Sequence, residues 1–112
     1  MEITSKIDGD LSVLLLGGRI DAASSASLDH AVNAAIGGGI RHLVLDMSQV
    51  GYVSSAGLRS ILLAAKNAKA AGGGVAVFGL QASVAEVFNG SGFGKILPIA
   101  ADDAEARRKL VG

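Results

Sequence analysis

Two adjacent hydroxyls, Ser54 and Ser55, stand just ahead of Gly57 in the stretch LVLDMSQVGYVSSAGLRSILL (residues 43–63), and they are the side chains best placed to carry chemistry. A serine here can act as a nucleophile, accept a phosphoryl group, or cap a helix. Nucleophilic use of Ser55 in an acyl hydrolase fits poorly. A nucleophile elbow needs glycines two residues before and two after the serine, and Val53 occupies the first of those places. A base is also missing. His42 stands at the start of an expected strand, about four residues at ~3.3 Å each from the opposite rim. His30 falls mid-helix beside Asp29, on an expected solvated face. The chain has no cysteine, which removes disulfides, thiolate chemistry and Cys-ligated zinc together. With two histidines, a metal site would depend on carboxylates for most of its ligands. The expectation is a protein that is not an enzyme, with no catalytic residue, no metal and no cofactor.

A phosphoacceptor fits better. The loop after the central strand delivers Ser54 and Ser55 to a helix start. Unpaired backbone N–H groups and the positive end of the helix dipole gather there, so a phosphate is accommodated without unfolding the helix. A phosphoserine adds about −1.5 to −2 charges at neutral pH. The surface that receives them has little net charge, because ten basic residues balance ten acidic ones. A partner packed on that surface would lose apolar contact and meet a desolvation penalty. The same serines, taken alone, also read as a plain N-cap.

The elements that must position these residues alternate from end to end. Ile3 and Ile7 suggest a short edge strand, Asp8-Gly9-Asp10 a turn, and Leu11–Leu16 a buried strand ending at Gly17-Gly18. Leu28, Val32, Ala35 and Ile36 share one face of a helix expected over Ser24–Ile36, capped by Ser24 or Ser25 and stopped by Gly37-Gly38-Gly39. His42–Leu45 reads as a central strand, apolar on both faces, with a loop through Asp46, Ser48, Gly51 and Tyr52. A second helix is expected over Ser55–Ala71, with Leu58, Ile61, Leu62, Ala65 and Ala68 turned inward. Val75–Phe78 makes another buried strand. A third helix over Ser83–Asn89 turns Val84, Val87 and Phe88 inward. Ile96–Ile99 gives a last short strand, and Asp102–Leu110 a final helix with acids first and bases last.

Strands alternating with helices imply an α/β fold: a mixed, mostly parallel central sheet of four to five strands packed with four helices, joined by right-handed crossovers. The length of 112 residues fits one compact domain, 1–112. The Gly-Gly-Gly runs are not phosphate loops, because each ends a helix and precedes a strand, the reverse of a nucleotide-binding order. Balanced charge gives no reason to expect nucleic acid or membrane as partner. The N-terminal stretch lacks the order of a signal peptide, and the run Val13–Leu16 is far short of the roughly 20 residues of a membrane span. A cytoplasmic location is expected.

The chain resembles the STAS-domain family of anti-sigma factor antagonists over nearly its whole length. The resemblance rests on Gly18-Arg19-Ile20-Asp21; on Leu45-Asp46-Met47-Ser48-x-Val50 followed by Tyr52-Val53-Ser54-Ser55-Ala56-Gly57-Leu58; and on Val77-Phe78-Gly79-Leu80 and Val87-Phe88-x-x-Ser91-Gly92-Phe93. It implies a single STAS-like domain and a bacterial partner-switching cycle in transcription regulation. The unmodified protein would bind a kinase-type anti-sigma factor, phosphorylation would release it, and a PP2C-type serine phosphatase would reset it. The residue two before the glycine, here Ser55, would be the phosphorylated one. Where such proteins often carry aspartate before that serine, this chain has Ser54, which makes Ser54 the second choice. Asp21, Ser54, Ala56, Gly57, Arg59 and Leu63 are expected to contact the partner. The alternative within the family is an unphosphorylated accessory or scaffold subunit of a transport or sensory complex.

Helix geometry adds a reading of its own. At 3.6 residues per turn, Arg59, Leu63, Lys66 and Ala70 share a face away from the inward stripe. Leu63, between two cations and beyond Ser55, is a candidate docking residue. Asp21, after a strand and before a helix, should gather on the same rim as the Ser55 loop.

Overall fold

The computed structural model describes residues 1–111; Gly112, the last residue of the expected 1–112 domain, lies outside the described residues. Five strands form one sheet in the order β1 (Glu2–Asp8), β2 (Leu11–Ile20), β3 (His42–Val53), β4 (Gly74–Phe78) and β5 (Ile99–Ala100). β1 and β2 pair antiparallel through the turn at Gly9-Asp10, and the remaining pairs are parallel. Helices α1 (Ala22–Gly37), α2 (Ser55–Ala70) and α3 (Ala82–Gly90) make the successive crossovers, and α4 (Asp103–Val111) follows β5.

Each crossover steps to the next strand in the same direction. Right-handed connections of that kind must all lie on one face of the sheet. The core divides accordingly. One cluster packs Leu14, Leu16, Ile20, Leu43, Leu45 and Met47 beneath Leu28 and Val32 of α1, Ile61 of α2 and Phe88 of α3. On the opposite face Leu11, Val13, Val44 and Ala76 pack against Ala106 of α4. Arg107 of α4 donates to Asp103 and to Asp8, each at 2.9 Å, and so ties this helix back to the β1–β2 hairpin.

Several expected boundaries are corrected. β2 does not end at Gly17-Gly18 but runs through them to Ile20, with register shifts between Leu15 and Gly17 and between Gly18 and Arg19. Gly18 has φ +99°, a conformation that glycine adopts without steric cost. The expected loop after Leu45 is strand as far as Val53. Its buried residues pass from a continuous run (Leu43, Val44, Leu45) to every third position (Met47, Val50, Val53), so strand periodicity fades where pairing continues. Helix α1 starts at Ala22 and is capped by Asp21, not by Ser24 or Ser25. The last strand is Ile99–Ala100, and a 3-10 turn occupies Phe93–Lys95. Val87 is exposed, whereas Val84 and Phe88 are buried as expected.

The seam of α2 is also rotated from the expected stripe. Gly57, Ser60, Ile61, Ala64 and Ala68 are its buried residues, while Leu58, Leu62 and Ala65 are only partly covered. Small side chains on this line let α2 lie close to the sheet and to α1, where Asn67 donates to Asn33 at 3.3 Å.

Candidate functional site

The C-terminal ends of β2 and β3 meet at one rim, and both helices that leave this rim start there. The amide of Ser54 donates to the carbonyl of Ile20 at 2.8 Å, which pins the start of α2 to the end of β2. Ser54 adopts an extended backbone as the N-cap, and its Oγ accepts the amide of Gly57 at 3.2 Å. Ser55 is the first residue inside the helix, and it is exposed. The two serines are therefore divided by geometry: Ser54 holds the helix end, and Ser55 presents its side chain to solvent.

Gly57, one of the expected contact residues, packs against the end of β2. It is buried, and a Cβ built on it would lie 2.5 Å from the Ile20 carbonyl oxygen and 3.0 Å from Val53 Cγ1. Real Cβ atoms do not approach so closely. The glycine sets how near α2 sits to β2.

Asp21 caps α1 on the same rim. Its Oδ1 accepts the amides of Ala23 and Ser24, each at 3.1 Å. Ser24 Oγ accepts the Asp21 amide at 2.9 Å and donates to the Arg19 carbonyl at 2.7 Å. The Ser24 amide first, and then the Ser24 hydroxyl when it turns its one proton from the Arg19 carbonyl to Asp21 Oδ1 at 3.1 Å, hold the Asp21 carboxyl below its ordinary value of 3.8, with smaller help from the Ala23 amide and Arg19. Arg19 reaches the Asp21 carboxylate at 3.6 Å and lies 4.5 Å from the centroid of the Tyr52 ring. Arg19 and Tyr52 are cross-strand neighbours and both are exposed. An arginine stacked on an aromatic ring is a common anchor of protein interfaces. The sequence carries no signal for this pair, because only the pairing register of β2 and β3 brings it together.

A shallow cleft opens between α1 and α2 beside Ser55, lined by Ser25, Asp29, Ser55, Ala56, Arg59, Ser60 and Leu63. Leu63 is 41% exposed, unusual for a leucine on a helix whose other side packs the core. Arg59, Lys66 and Ala70 are exposed along the same face. The first turn of α2 has no acidic residue, so no carboxylate on that turn opposes a phosphate. Ser25 and Asp29 of α1 were not foreseen as cleft residues; the packing of α1 beside α2 supplies them.

Neither histidine lines this cleft. His42 opens β3 at the far end of the twelve-residue strand that leads to Ser54, and its Nδ1 is buried without a hydrogen-bond partner. His30 lies exposed on α1. Among the described residues no helix is long and apolar enough to cross a membrane.

A family model for the STAS domain matches residues 2–106, and the chain belongs to that family. It is 40% identical over 101 residues to a protein of Bordetella bronchiseptica provisionally described as the anti-sigma factor antagonist BtrV, a match covering 89% of this chain and 86% of that one. Among solved structures, a provisionally assigned anti-sigma factor antagonist of Thermotoga maritima superposes with a TM-score of 0.89 at 20% identity, over 96% of this chain and 93% of that one. The anti-sigma factor antagonist SpoIIAA in its unphosphorylated form gives 0.81 at 17% identity, over 96% and 95%. The Bacillus cell fate determinant SpoIIAA in its phosphorylated form gives 0.74 at 17% identity, over 96% and 98%. At these identities the structural likeness establishes the fold: an α/β STAS fold with a mixed five-stranded sheet and four helices.

Proposed function

We propose that this protein is an anti-sigma factor antagonist that works by partner switching, with Ser55 as its phosphorylated residue. The observation that carries the reading is the division of labour at the start of α2, where Ser54 Oγ is engaged by the Gly57 amide and Ser55 is exposed beside a cleft. The similarity to BtrV supports the antagonist role. The existence of SpoIIAA in unphosphorylated and phosphorylated forms on this same fold supports a reversible modification.

The unmodified protein binds a kinase-type anti-sigma factor in the cytoplasm through Asp21, Ser54, Ser55, Ala56, Arg59 and Leu63, with Gly57 setting the helix on which most of them stand. The kinase then uses its ligand as substrate. Ser55 Oγ attacks the terminal phosphorus of a nucleoside triphosphate held by the kinase. A new O–P bond forms, the bond to the bridging oxygen breaks, a nucleoside diphosphate leaves, and the hydroxyl proton passes to a base of the kinase. The added charge of about −1.5 to −2 sits where apolar contact was made, and the complex dissociates. A PP2C-type serine phosphatase resets the switch by transferring the phosphoryl group to water. In this cycle the protein is ligand and substrate, not catalyst.

Capture from cell extract with wild type, Ser55→Ala and Ser55→Asp, followed by mass spectrometry, tests the reading. Wild type and the alanine variant are expected to retain the kinase, and the aspartate variant to lose it. Equal capture by both variants would remove the switch, and capture of transport components instead would favour the accessory role.

A further inference from the structure

The most consequential unused group in the cleft is a cation. Arg59 lies four residues after Ser55 on α2, and both line the same depression. Side chains four apart on a helix are neighbours on its surface. Among the described residues Arg59 makes no salt bridge, whereas Arg19 is committed to Asp21 and the Tyr52 ring, and Arg107 to Asp8 and Asp103. We propose that Arg59 is the intramolecular ligand of the phosphoryl group on Ser55, closing over it as a guanidinium–phosphate pair.

This rests on the reading of Ser55 as the phosphorylated residue and adds what the phosphate does next. An anion at the N-terminal position with the cation four residues later is the favoured orientation for such pairs, and guanidinium matches phosphate oxygens with two parallel hydrogen bonds. The charged groups lining this place come from two elements. They are Arg59 on α2 and Asp29 on α1 across the cleft, whereas Arg19 and Asp21 line a separate depression at the start of α1. Asp29 opposes the phosphate and Arg59 offsets it. Arg59 therefore has two states. In the unmodified protein it is free to meet an acidic group of the partner; in the modified one it is occupied. Phosphorylation then removes a contact as well as adding a charge, and the phosphorylated helix start is more ordered than the unmodified one.

The test uses the full chain carrying phosphoserine placed at position 55 during translation, which requires no kinase. Phosphorus NMR across pH 4–8 follows the second ionisation of the phosphate in the wild-type background, in Arg59→Gln, in Arg59→Lys and in Arg19→Gln. The expected result is a second ionisation about one unit higher in Arg59→Gln than in wild type, with Arg59→Lys close to wild type and Arg19→Gln unchanged. Thermal melts of modified and unmodified chains complete the cycle. Arg59→Gln should lower the melting temperature of the phosphorylated chain and leave the unmodified one within error, a difference that a purely structural role of Arg59 would not produce. An ionisation indifferent to Arg59, or one that moves with Arg19 instead, would overturn the assignment while leaving the Ser55 switch intact. Finding Ser55 unmodified in cells would defeat the switch while leaving this measurement untouched.

Discussion

A Cβ on Gly57 would sit 2.5 Å from the carbonyl oxygen of Ile20, so the first turn of α2 and the last residue of β2 are in contact through a place where no side chain fits. The same carbonyl accepts the Ser54 amide at 2.8 Å. Substituting Gly57→Ala must push the helix off the strand. Overpacking of this kind costs about 1–3 kcal/mol, offset by about 0.5–1 kcal/mol of better helix propensity. A net loss of about 1–2 kcal/mol is expected in urea unfolding, with weaker capture of the partner because Ser55 moves with the helix. Unchanged stability would show that the contact relaxes freely.

The two serines should separate cleanly in stability measurements. Ser54→Ala removes the acceptor for the Gly57 amide and is expected to cost about 1 kcal/mol. Ser55→Ala removes an exposed hydroxyl and should stay within about 0.5 kcal/mol. Chemical denaturation of the two variants side by side checks this, and a reversal of the order would exchange their assigned parts.

Asp21 gives the cap of α1 a pH dependence with a definite sign. Its carboxyl is held below the ordinary 3.8 by the hydrogen bonds from Ser24, so the folded state favours the charged form. The stabilisation is present in full above the unfolded value and is lost as pH falls through the lower folded value. The gap in melting temperature between wild type and Asp21→Ala should be constant from pH 7 to about 5 and narrow below about 4. A gap that widens on acidification would contradict the capping role.

Leu63 is a surface leucine beside Arg59 and the Ser55 cleft. Leu63→Asp is expected to change stability by no more than about 0.5 kcal/mol while reducing partner binding at least tenfold. A large fall in melting temperature would place Leu63 in the core instead.

Much of this arrangement is legible in the sequence, and the remainder is not for physical reasons. Helix starts and stops announce themselves through serines, aspartates and glycines, which is why α2 is placed to within a residue. The long strands are harder to read. β2 continues through Gly17 and Gly18 and β3 through Ser48 and Gln49, because neighbouring strands and their register shifts hold polar and glycine residues in the ladder. The buried seam of α2 runs over Gly57, Ser60 and Ala64, where close approach selects small residues over larger apolar ones nearby. The motif order around Ser55 and Gly57 identifies the family at once. Pairwise features such as Arg19 over Tyr52, or Asp29 facing Arg59 across the cleft, exist only once strands and helices are set side by side.

One phosphoryl group on Ser55 is expected to undo one interface. The most direct measurement is titration calorimetry of the captured kinase-type partner against the purified chain, unmodified and carrying phosphoserine at position 55, at the same ionic strength. Affinity is expected to fall at least a hundredfold on modification while circular dichroism shows the same fold in both forms. Equal affinity for the two would contradict the switch.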